Sequence, residues 1–311
     1  MHELDVARYS TLIDPQLHVW GWEIPVYLFL GGMAAGTLFL SGLLSMGEGP
    51  RSRAVRALPF LAPLLLAVGM GALFLDLSHK LHVYRFYLAF RWTSPMSWGA
   101  WILLVVFPIA ILYGLATLSD EDVAAVSARL PPLLARVLAD RRGWARRNVR
   151  RLRMAAMIAA VGLGGYTGVL LSALGARALW GSALLGPLFL VSGISSGAAL
   201  TMLLPGVLPE ERALLGRADV HAMWLELALL LFVLVGLATG DAASRAAADL
   251  VLGGPYTAPF WALVVIAGVV VPAAMEILER RLHLAVTAVA PALVLAGGFA
   301  LRWILVAAGQ R

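Results

Sequence analysis

EIPVYLFLGGMAAGTLFLSGLLSM, residues 23–46, has a single charged side chain, Glu23, followed by an apolar run without interruption. A hydrocarbon core ~30 Å thick takes roughly 20 helical residues to cross. Seven further runs of this kind follow at 57–77, 96–117, 152–174, 182–204, 221–239, 257–278 and 284–308. Inside lipid no water is present to satisfy backbone amides, so such runs form helices. The short alternating strands of a closed barrel are missing from the pattern. The sequence therefore predicts an all-α membrane protein with eight transmembrane helices.

Composition agrees. The chain has 311 residues, 61% of them hydrophobic and 14% charged, which is too apolar for a soluble domain of this size. The first 22 residues contain His2, Glu3, Asp5, Arg8, Asp14 and His18 and lack the apolar core of a cleavable signal, so the first span is expected to direct insertion. A net charge of +6 would suit nucleic acid, but the arginines cluster in connectors. Connectors after the odd-numbered spans hold Arg51, Arg53 and Arg56, nine arginines from Arg129 to Arg153, Arg212 and Arg217, and Arg280 and Arg281. Basic connectors stay in the cytoplasm, which puts both termini in the periplasm of a bacterial inner membrane. The run DRRGWARRNVRRLR (140–153) reads as an orientation signal that also attracts anionic lipid.

FLGGMAAGTLFL (29–40) resembles LVSGISSGAALT (190–201), with Gly32 and Gly36 falling on Gly193 and Gly197. The expected organisation is a periplasmic segment 1–22, a four-helix bundle 23–174 with a basic loop 118–151, and a second four-helix bundle 182–308. Two such halves of equal orientation would be related by an axis along the membrane normal. The Gly-xxx-Gly pairs at 32/36, 164/168 and 193/197 suit close helix packing.

There is no cysteine, so thiolate-bound clusters, disulfides and thiolate zinc are excluded. The histidines lie at span ends or in connectors, which disfavours haem; His79 and His82 have no further ligand close in sequence. Ionisable groups within spans are functional candidates because they are costly there. They are Glu23, Asp76, Glu226, Glu276 and Arg302, of which Glu276 and Arg302 also suit snorkelling. The connector DLSHKLHVYRFYLAFRWTSPMSWGAW (76–101) mixes aromatics with basic residues. It suits an interfacial belt or a cover over a site at the outer interface.

YRFYLAFRWTSPMSWGAWIL, WGWEIPVYLFLGGMAAGTLFL and YTGVLLSALGARALWGSALLGPLFLVSGISSG resemble the NrfD-like membrane subunits, the quinone-interacting subunits of polysulfide reductase and related respiratory complexes. The resemblance runs through essentially all eight spans and is most specific over Thr93–Trp101. It implies a non-covalently bound menaquinone or ubiquinone and no haem or iron–sulfur cluster in this chain. It also implies a docked four-cluster iron–sulfur subunit that serves a molybdopterin catalytic subunit.

Tyr166 matches a tyrosine near the quinone headgroup, and Tyr27 stands where the polysulfide reductase subunit has a histidine. Glu23, one turn earlier, can supply the acid/base function instead. Asp76 and His79 would close another side of the pocket, with Arg177 and Trp180 facing the same compartment. Interfacial anchoring is the plain alternative for both tyrosines. A proton route through Asp76, His221 and Glu226 would make quinol oxidation electrogenic. The rival functions are a secondary transporter built from parallel repeats, for which Pro108 and Pro272 would mark matching breaks, and a membrane anchor without redox chemistry.

Overall fold

A computed structural model describes residues 20–47, 51–77, 80–88, 90–173, 177–282 and 287–311. His79 and residues 1–19 of the N-terminal segment lie outside the described residues. Among the described residues eight helices are long and apolar enough to cross a membrane: α1 Glu23–Leu44, α2 Arg53–Asp76, α3 Pro95–Thr117, α4 Val149–Ser172, α5 Leu185–Leu203, α6 Pro209–Ala238, α7 Thr257–Glu279 and α8 Val289–Gly309. The protein is a multi-pass, all-α membrane protein, and no strand occurs among the described residues.

The largest boundary difference is in α6, which begins twelve residues ahead of the expected 221. Glu210, Glu211, Arg212, Arg217 and Asp219 interrupt the hydropathy there, yet the helix continues through them. Pro209 supplies a preset φ at its first position. Glu211 is buried, and its carboxylate accepts the amides of Leu208 at 3.0 Å and Ser52 at 2.8 Å, pinning the start of α6 to the start of α2.

The arginine-rich connector is helical too. Ser119 caps a helix over Asp120–Ser127 by accepting the Asp122 amide at 3.1 Å, and Pro132–Arg147 forms a second helix. Asp120 joins the two by accepting from Arg142 at 2.6 Å and Arg146 at 3.1 Å.

In the interior α1 packs against α2, α4, α5 and α8. Its glycines are the reason. A Cβ at Gly36 would fall on the Gly193 carbonyl, one at Gly193 would lie 2.5 Å from the Gly32 oxygen, and one at Gly197 would lie 2.5 Å from the Thr37 nitrogen. The two similar Gly-xxx-Gly segments therefore cross each other at backbone contact, where dispersion and weak backbone interactions replace the hydrophobic drive that lipid removes. Gly168 does the same for α4 against the Leu185 carbonyl of α5.

The outer face is apolar, with Leu64, Val68, Ile158, Leu231 and Phe232 exposed, as lipid contact requires. Between Phe260 and Val270 α7 is wound as a π-helix, and Gly268 and Gly297 bring it against α8. By contrast α3 runs through Pro108 as one helix, so Pro108 and Pro272 do not mark matching breaks.

Candidate functional site

A cavity of about 290 Å³ opens at the end of the bundle opposite the arginine-rich connectors. Its walls come from the start of α1, the end of α2, the start of α3 and the end of α4, and Leu77, Val83, Tyr87 and Ser94 between α2 and α3 complete the lining. Apolar groups dominate: Ile24, Leu28, Met70, Leu73, Leu103 and Leu170. The exposed Phe74 and Met96 stand on its open side. Its size is at the lower end of the ~300–1,000 Å³ clefts that hold small organic ligands.

Few polar groups enter. Tyr27 and Tyr166 are buried, at 5% and 6% exposure, and their phenols interact with each other. Tyr27 is set by its position one turn into α1, and α1 is fixed by its glycine contacts. Tyr166 lies on α4 between Gly164 and Gly168, which seat that helix against α5. Its hydroxyl rests against the backbone of Gly99, where any Cβ would collide with the ring. Gly99 belongs to the TSPMSWGAW stretch, and Ser94, Pro95 and Met96 of the same stretch also line the cavity. Asp76, half-buried at the end of α2, completes the lining and interacts electrostatically with Glu23.

The structure thus brings together Tyr27, Tyr166 and Asp76, with Glu23 alongside. Arg177 and Trp180 take other positions. Trp180 is buried, stacks on Trp20 at 5.1 Å and donates its indole N–H to the Leu305 carbonyl at 2.7 Å. Since Trp20 lines the cavity, Trp180 supports the wall from behind. Arg177 is bonded to the carbonyl of Arg311 at 3.3 Å.

The expected proton groups on α6 do not share a face. His221 is exposed, and its Nδ1 lies 2.6 Å from the Arg217 carbonyl of its own helix. Glu226 is buried and turned toward Ser192 and Arg302. Five residues on, at 3.6 per turn, is roughly 140° around the helix.

Two site residues, Tyr87 and Gly99, are not singled out by sequence reasoning. Tyr87 lies in the aromatic connector and lines the cavity, whereas Tyr84, Phe90 and Trp92 of that connector are exposed. A glycine inside a polar-aromatic motif is the available signal for Gly99.

The family model described as polysulphide reductase, NrfD, matches residues 11–311. The chain belongs to the NrfD polysulphide reductase family. Among its relatives, a polysulfide reductase chain of Wolinella succinogenes is 31% identical over 98% of this protein and 96% of its own length. Protein NrfD of Escherichia coli K12 is 30% identical, covering 94% and 95% of the two sequences. A putative dimethyl sulfoxide reductase membrane subunit of Halobacterium salinarum is 28% identical over 59% of this protein and 42% of its own length. The stretch in which the resemblance to the NrfD family is most specific, Thr93–Trp101, also lines the cavity beside Tyr166.

Proposed function

We propose that this chain is the quinol/quinone-binding integral membrane subunit of a respiratory oxidoreductase complex. It exchanges electrons between the membrane quinone pool and a periplasmic iron–sulfur subunit, and through it a molybdopterin catalytic subunit. The observation that carries the reading is the pair of buried phenols, Tyr27 and Tyr166, in an otherwise apolar cavity at one end of a helical bundle.

The cavity suits a quinone ring. Apolar side chains cover its faces, and two hydroxyls lie where a carbonyl or hydroxyl oxygen needs a partner. The bare Gly99 backbone keeps the Tyr166 hydroxyl at the wall. A bound quinol supplies two electrons and two protons. Tyr166 and Tyr27 orient the ring through their hydroxyls. Asp76 on the cavity wall, with Glu23 beside it, receives protons and passes them to the aqueous side. On the positive-inside rule the arginine-rich face is cytoplasmic, so the cavity and both termini face the periplasm, where the iron–sulfur partner docks.

Titrating the purified protein with a fluorescent quinone analogue tests the reading. Saturable binding should weaken several-fold in Tyr166→Phe and in Tyr27→Phe, since one hydrogen bond contributes about 0.5–1.5 kcal/mol. Absence of saturable binding in the wild type would replace this reading with that of an anchor without redox chemistry.

A further inference from the structure

We propose that Asp219 and Glu276, far from the cavity, form a buried site that holds one exchangeable proton within the membrane. Asp219 on α6 is 0% exposed and Glu276 on α7 is 4% exposed. Ser195 of α5 donates to Asp219 Oδ1 at 2.5 Å. Asp219 Oδ2 has no hydrogen-bond partner among the described residues, and its carboxyl faces that of Glu276. The Glu276 carboxylate lies against α6 one turn before Asp219, with Oε2 3.3 Å from where a Gly216 Cβ would be. Two carboxyl groups this close and this far from water are held together by a proton between them.

The surrounding charges fit that assignment. From α6 itself Glu226 faces the pair, adding negative charge. Arg302 of α8 faces Glu226 rather than the pair, and its guanidinium is committed to Ser192 Oγ at 2.6 Å and to the carbonyls of Gly298 at 2.9 Å and Phe189 at 3.2 Å. From α5 the group at the pair is a hydroxyl, Ser195.

These residues also form a column. Glu276 is three residues from the end of α7, on the side of the arginine-rich connectors. Glu226 follows Asp219 by seven residues, about two turns, on the same face of α6. Arg302 then reaches α1, its Nη2 3.2 Å from where a Gly32 Cβ would be. A proton taken up from the arginine-rich face at Glu276 and Asp219 would move toward the helix that carries Tyr27. Its use by the cavity rests on the proposed quinol chemistry; occupancy of the acid pair does not.

Infrared spectroscopy of the full-length protein in lipid nanodiscs, in H₂O and D₂O, tests the site with no quinone present. The wild type should show a protonated-carboxyl band that shifts in D₂O. The band should lose intensity in Asp219→Asn and move in Glu276→Gln, while Glu210→Gln, on the exposed first turn of α6, leaves it unchanged. Absence of the band in the wild type, or its persistence unchanged in both pair variants, overturns the proposal. Loss of the band on adding sodium overturns it as well, by making the pair a metal-cation site. Should Asp219→Asn not fold, Glu276→Gln alone decides. Quinone-analogue binding by the same variants is a separate measurement, so failure here leaves the cavity reading standing.

Discussion

The hydroxyl of Tyr166 lies against the backbone of Gly99, so close that a methyl group at position 99 would overlap the phenol. Two elements far apart in sequence, the start of α3 and the end of α4, are shaped for each other at this one contact. Gly99→Ala should displace the ring and weaken quinone-analogue binding at least as much as Tyr166→Phe. Overpacking of this kind costs about 1–3 kcal/mol. Equal affinity for Gly99→Ala and wild type in a fluorescence titration would show that the Tyr166 position is irrelevant to binding.

The bundle's glycines divide into two sorts. A Cβ at Gly36 of α1 would penetrate the Gly193 backbone, whereas one at Gly71 of α2 or Gly162 of α4 would meet nothing within 4 Å. Gly36→Ala should lower thermal stability in detergent by about 1–3 kcal/mol or more, because backbone cannot yield as a side chain can. Gly162→Ala should be neutral or stabilising by up to about 1 kcal/mol, the helix-propensity gain. Similar melting temperatures for the two variants would contradict the α1–α5 crossing described above.

Arg302 is fully buried and near Glu226, with Ser192 between them. Arg302→Leu leaves a buried carboxylate without its counter-charge and should cost about 3–5 kcal/mol. Adding Glu226→Leu should recover much of that loss, since an apolar pair replaces a broken ionic one. Additive losses in a double-mutant cycle, read by thermal unfolding, would show that the two residues do not interact.

The helical connector responds to acid. Asp120 is held below the ordinary carboxylate range, first by the hydrogen bond from Arg142 and then by the charge of Arg146. Its contribution is therefore present above the unfolded value of about 3.9 and disappears as pH falls through the lower folded value. At pH near 7, Asp120→Asn should speed proteolytic cleavage within 118–148. The difference should begin to shrink below about pH 4 and vanish only once pH is below the lower folded value, where the wild type loses the same link. It should also shrink at high salt, because the pair is exposed. Equal cleavage rates at neutral pH would show that the contact contributes nothing, as happens for many exposed ion pairs.

Particular residues show how far the sequence can be read. Tyr27 and Tyr166 are named by the family resemblance and Asp76 by its charge at the end of a span, and all three meet in one cavity. Gly99 and Tyr87 do not stand out, because their roles depend on what packs against them. Asp219 is hidden for a different reason: a charged stretch at 210–219 resembles a connector, and only the helix geometry carries it into the bundle. His221 and Glu226 look like partners by proximity in sequence, yet the helical repeat turns them to different sides.

The eight spans, the absence of thiolate ligands and the family were determined by the sequence itself. Length and hydropathy are local properties, and a bilayer permits one backbone solution to them. Only the tertiary structure decided which polar groups share a pocket and which carboxyls lie side by side. Lipid imposes no preference on which small residues face each other, so those pairings arise from backbone-to-backbone fit at Gly36, Gly193 and Gly99, which no single segment encodes.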